Sequence, residues 1–196
     1  MKPADAGRSL RAPRAARRAP PRPRRGALGV SLTELALVLP VLLLLVLGVV
    51  DFSRALQYNN ILVNLSREGA NLSARTTEQP EFIFRALIDT ATPLDMNTDG
   101  MMYITRLVGR ADGRATVEEQ NRPASGGKRA LASRIYACSS WSSGRCNLPN
   151  TRPIISLPTT LREGETVFAV EALYDYTLLT RYVISEDPRL YSITIL

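Results

Sequence analysis

Gly29 and Glu34 are the residues whose types and spacing point to chemistry. Five positions on, Glu34 is a lone carboxylate ahead of a hydrocarbon run. Residues 35–50 read LALVLPVLLLLVLGVV, with no charge and no hydrogen-bonding side chain. An ionisable group at the centre of a membrane helix costs about 2.5–3.5 kcal/mol and is rarely there without a reason. Residues 1–25 differ in kind, holding nine basic residues, five prolines and one acid. The order reads as a leader, a cut, and an acid-bearing membrane helix that begins the mature chain.

Other residue sets are weaker. Asp95-Met96-Asn97-Thr98-Asp99-Gly100 fits the opening of a calcium loop, with side-chain oxygens at alternate positions and a glycine for the turn. The twelfth position, which should be a bidentate acid, is Arg106, so a standard EF-hand is excluded. A weaker calcium site at Asp95, Asn97 and Asp99 and a plain Asx-rich turn entering a strand both remain open. No other cofactor is expected. Cys138 and Cys146 bracket SSWSSGR and read as a disulfide closing a small loop outside the cytoplasm, with two free thiols as the alternative. Trp141, at the centre of that loop, is either a contact residue or packed on the loop itself. The chain has no histidine, no phosphate-binding loop and no dinucleotide fingerprint, so the expectation is a protein that is not an enzyme.

Charge narrows the class further. The chain has 25 Lys and Arg against 18 Asp and Glu. Residues 1–29 hold nine of the former and one of the latter, a net of +8, which leaves residues 30–196 at −1. The basicity belongs to the leader, so no nucleic-acid partner is expected for the mature domain. A basic segment beside an apolar span places the leader in the cytoplasm and the remainder across the membrane. A secretory signal peptide would end in a small-residue cleavage pattern, and Leu47-Gly48-Val49-Val50-Asp51-Phe52 lacks one.

The elements that must position these residues follow from periodicity. Beyond Val50, apolar residues at Phe52, Leu56, Leu62, Leu65 and Leu72 recur at helical spacing, which predicts that the helix continues to about residue 75. From residue 31 such a rod would be roughly 65–70 Å long. Pro40 lies inside it and allows a kink or a melted turn. Residues 80–88 predict a short helix with Pro80 in its first turn. Residues 101–108 and 114–118 predict a hairpin around Asp112-Gly113, 119–130 a loop, and 166–176 and 191–195 two further strands. The fold class is α+β: a long N-terminal transmembrane helix packed on a small antiparallel β-sheet domain. The expected domains are a basic leader at 1–29, a transmembrane segment at 30–50, the helix continuation at 51–75 and an extracytoplasmic domain at 76–196.

These residues resemble the TadE-like minor pilins, or pseudopilins, of the tight-adherence (Tad, Flp-type) branch of type IV pili. The resemblance rests on the basic leader, Gly29, Glu34 and the proline-containing apolar helix. It continues in Asp51-Phe52-Ser53-Arg54-Ala55-Leu56 and Ser66-Arg67-Glu68-Gly69-Ala70, and more loosely over 165–196. It implies a cut after Gly29 by a prepilin peptidase, with Gly26 as a rival site that would put Ser31, not an acid, in fifth place. It also implies that Glu34 sets the register between subunits against a neighbour's N-terminal amine. The alternative for Glu34 is a side chain that snorkels to the interface of an uncut anchor. The implied partners are other pilins, the peptidase, an inner-membrane assembly platform and the lipid bilayer. The implied location is the bacterial inner membrane, single pass, then the pilus surface. The implied function is pilus initiation, assembly or tip formation for adhesion. The alternative is an uncleaved single-span protein whose periplasmic domain binds partners in an envelope machine.

Overall fold

The computed structural model describes residues 27–179 and 188–196, with side chains from Leu32 onward. All but the last three positions of the expected leader lie outside the described residues. The chain divides into two units, Met1–Val41 and Leu42–Leu196. Helix α1, Ala27–Arg75, begins in the first and ends in the second. It is helical through Pro40, so no melted turn forms there. Membrane-type helices tolerate an internal proline in this way when neighbours satisfy the freed carbonyl. After Arg75 the chain breaks at two threonines, where the Glu78 N–H donates to Thr76 Oγ1 (3.1 Å). Helix α2, Pro80–Thr90, starts on a proline whose missing N–H costs nothing at that position. It buries Ile83, Phe84 and Leu87 on one face.

The rest of the described chain forms one antiparallel sheet and the loops that connect its strands. Its strands are β1 (Gly100–Gly109), β2 (Ala115–Asn121), β3 (Trp141–Ser142), β4 (Arg145–Cys146), β5 (Ile154–Ile155), β6 (Thr166–Asp175) and β7 (Arg189–Ile195). The order is β3-β4-β2-β1-β6-β7, with β5 also paired to β2. The longest ladder joins β1 to β6, from Gly100↔Tyr174 to Val108↔Thr166. The β1–β2 turn uses Gly113 at φ +75°, a conformation glycine adopts without strain. Asp112 Oδ1 accepts the Arg114 N–H there (3.1 Å). These elements match the expected α+β class.

Two expectations need correction. The region 119–130 is not all loop, because β2 continues through Glu119, Gln120 and Asn121, which pair with Arg106, Thr105 and Ile104. Its polar residues belong to a strand because Gln120 is buried and its Nε2 donates to Ser133 Oγ and the Tyr136 carbonyl, both at 3.0 Å. The expected stripe holds only in its later part: Leu62 and Leu65 are buried and Leu72 packs against the core, whereas Phe52 is 66% and Leu56 50% exposed, and Tyr58 and Ala70 join the buried face. Alternation along β1 and β6 gives the sheet two covered faces. Met102, Ile104, Val170, Ala172, Tyr174 and Tyr176 meet the two helices. Met101, Tyr103 and Leu173 lie in a separate cluster with Leu131, from the long β2–β3 connection.

Candidate functional site

Two properties of α1 make it the candidate site: what its first half leaves bare, and how its second half is seated. Gly29 and Val30 are helical, at the start of α1, and their side chains lie outside the described set. Glu34, one to two turns on, is exposed. Around it the apolar side chains from Leu32 to Val50 are exposed almost throughout. The stretch is apolar on every side and long enough to cross a membrane. A soluble core helix of this composition would be covered by its own protein, and this one is not. Water is a poor solvent for such a surface, so it calls for lipid or other apolar helices.

The seat begins where the apolar run stops. Asp51 is 3% exposed. Its Oδ1 accepts the Leu179 N–H at 2.9 Å, and the Tyr176 hydroxyl lies 3.3 Å from its backbone carbonyl. A buried carboxylate is tolerable only when partnered in this way. Burial, and then the Asp51 charge, push the Tyr176 phenol above its ordinary value. Two turns on, Tyr58 meets Tyr174 and Tyr176 edge-on, with ring centres 5.7 and 5.2 Å apart. Ser66 is fully buried, and its Oγ lies 2.9 Å from Ser192 Oγ and 3.0 Å from Thr194 Oγ1, on β7. At Gly69 a Cβ would stand 2.9 Å from Val170 Cγ1 and 3.0 Å from Leu87 Cδ1, so only glycine fits without displacement. Ala70 beside it is fully buried. The segments 51–56 and 66–70, which carry the resemblance, thus supply Asp51, Ser66, Gly69 and Ala70 to the seat, and Tyr58, Leu62 and Leu65 between them supply the rest. Hydropathy alone missed them, because Asp51 and Ser66 read as surface residues until their partners are known.

The remaining candidates fall elsewhere. Asp95 Oδ1 accepts the N–H groups of Asn97 (3.0 Å) and Thr98 (3.1 Å), an Asx turn leading into β1. Hydrogen bonds from Thr98 hold the Asp95 carboxyl below its ordinary value. Asp99 faces the Lys128 ammonium, 3.7 Å from its Oδ1, and Lys128 also pairs with Asp175 at 2.6 Å. The charge of the Asp99 carboxylate therefore already has a cation beside it. Among the described residues no group of three or more His, Cys, Asp or Glu is placed to hold a metal ion. Cys138 and Cys146 are joined as a disulfide. Trp141 packs inward, 5.8 Å from the Tyr103 ring, with the Arg122 guanidinium 4.2 Å over its face.

Sequence reasoning also passed over Glu171, which is fully buried at the centre of β6. Its carboxylate accepts from Ser133 Oγ, the Arg134 N–H (2.8 Å) and the Tyr191 hydroxyl (3.0 Å). Burial pushes its carboxyl above the ordinary value despite those bonds. A lone acid inside the apolar stretch 167–174 was the available signal.

Residues 29–71 match the family model of TadE-like proteins. The match spans the glycine, the glutamate, the apolar run and both segments of the seat, and ends before α2. No curated protein and no solved structure matches the chain.

Proposed function

We propose that this chain, TadE-like over residues 29–71, is a minor pilin of a Tad-type pilus, cut by a prepilin peptidase after Gly29. The observation that carries the reading is the division of labour along α1. Its first half exposes apolar side chains that its own domain leaves uncovered, while its second half is fixed to the sheet. A subunit built this way waits in the membrane by its first half. It enters a filament when neighbouring helices replace lipid around the same surface.

Glu34 gives that exchange a register. A carboxylate in a low-dielectric bundle needs a positive partner, and the new amine at Val30 of an adjacent subunit is one. Pro40 supplies a soft point in the packed helix. The size of the domain beyond Arg75 favours a low-copy position, at the start or tip of a fibre, over the repeating shaft. In this reading the leader faces the cytoplasm and the sheet domain the other side of the inner membrane. The role is structural, and the chain has no histidine for the commonest general acid–base chemistry.

The experiment compares sheared surface filaments with membranes from cells making either the natural chain or Glu34→Ala. The reading expects the natural chain in both fractions and the variant in membranes only. Equal amounts of both chains in filaments would remove Glu34 from assembly. Absence of the natural chain from filaments would favour an uncleaved envelope protein.

A further inference from the structure

We propose that two copies of this chain pair in parallel along the outer face of α1, from Leu45 to Asn60. Leu45, Val49, Phe52 and Leu56 follow at spacings of four, three and four, which sets them in one stripe on a helix. Each is at least half exposed. Asp51, Tyr58, Leu62 and Leu65, by contrast, are buried and hold the domain. The stripe therefore lies on a side of α1 that its own sheet leaves bare.

Lipid covers the start of this stripe but does not reach its end. A helix from Val30 to Val50 rises about 31 Å, enough to fill a hydrocarbon core of about 30 Å. Leu56 stands about 9 Å further on, past a headgroup layer of about 5–7 Å. A lone exposed leucine needs no explanation. One that ends a stripe continuous with a membrane surface calls for protein cover. Gly48 points the same way. A Cβ there would meet nothing within 4 Å, so the chain's own packing does not require a glycine at that position. A second helix lying close against α1 gives it a use, because small residues let two backbones approach.

The residues around the stripe select a second copy as the occupant. Asp51 is buried, and the Arg54 guanidinium donates to the Tyr58 hydroxyl at 3.3 Å. These are the only charged residues from Leu35 to Ser66. The exposed polar side chains beyond the membrane run are instead Ser53, Gln57, Asn60 and Asn64, until Arg67 and Glu68 restore an ordinary charged surface. Depletion of charge separates the core of an interface from other surface. An amide carries both donors and an acceptor, so Asn60 of one copy can bond to Asn60 of the other across a two-fold axis. A polar residue in an apolar helical seam fixes register in just this way. Insertion in one membrane points both copies in the same direction, which brings identical residues together. The pairing uses α1 alone and depends neither on a cut after Gly29 nor on a filament.

The test uses the full chain carrying Gly29→Leu, so that processing plays no part. Leu56→Cys and Glu68→Cys are made singly and oxidised in the membranes of the producing cells. Leu56→Cys should give a reductant-sensitive species of twice the mass, and Glu68→Cys, exposed but off the stripe, little or none. Energy transfer between labelled copies in phosphatidylethanolamine–phosphatidylglycerol vesicles then measures the pairing. Asn60→Asp alone, or Asn60→Lys alone, sets like charges against each other and should weaken it at least about tenfold. Mixing the two variants should restore it, which only a self-pairing in register explains. Asn60 is exposed within one chain, so the unfolding midpoint of each variant in detergent should match that of the parent. Equal cross-linking at Leu56→Cys and Glu68→Cys would overturn the inference. So would energy transfer no greater than random encounter gives, which leaves lipid as the cover, or a mixture of the charged variants that pairs no better than either alone.

Discussion

Gly69 decides how closely α1 approaches the sheet, because the space a side chain would need is already filled by Val170 and Leu87. Replacing it with leucine forces a stiff β-branched neighbour to move and should cost about 1–3 kcal/mol, read as a lower denaturation midpoint. Ser66→Ala removes two inter-element contacts and should cost about 1–2 kcal/mol by the same measurement. Glu171 gives the fold a pH dependence whose sign follows from burial. Its folded carboxyl holds a proton to higher pH than the unfolded one, whose ordinary value is 4.5. Its contribution to stability is therefore complete below pH 4.5 and is lost as pH rises through the folded value. Glu171→Gln should flatten that decline. An unchanged slope would assign it to other groups.

At the scale of elements, the two faces of α1 separate folding from association. Phe52 and Leu56 are exposed and extend the apolar surface of the membrane segment, while Asp51, Tyr58, Leu62 and Ser66 hold the sheet. Replacing Phe52 and Leu56 together with serine should change stability by no more than about 0.5 kcal/mol, as surface substitutions usually do. The same change should reduce recovery of the chain in filaments. Reducing the Cys138–Cys146 bond, which closes a short loop, should cost about 2–3 kcal/mol, visible as a shift in midpoint with reductant. The elements that sequence displayed are those with a sustained period: α1, α2, the β1–β2 hairpin, β6 and β7. Strands β3, β4 and β5 have two residues each, too few for any alternation to register. The seat of α1 was hidden for a different reason. Its key residues are an acid, a serine and a glycine, whose burial depends on partners more than a hundred positions away. Gly29 and Glu34 stand out in the sequence by their spacing beside an apolar run, and their roles belong to the proposal.

The whole molecule joins a surface suited to lipid or helices with an antiparallel sheet domain. Its net basicity misleads until it is divided, because residues 30–196 are close to neutral. The central claim is that the leader and the rest are separate in fate as well as composition. The direct measurement is the intact mass and N-terminal sequence of the membrane-extracted chain, made with and without a prepilin peptidase. The account predicts a chain beginning at Val30 only when the peptidase is present, and its loss on Gly29→Leu. A chain that keeps residues 1–29 beside an active peptidase would contradict it.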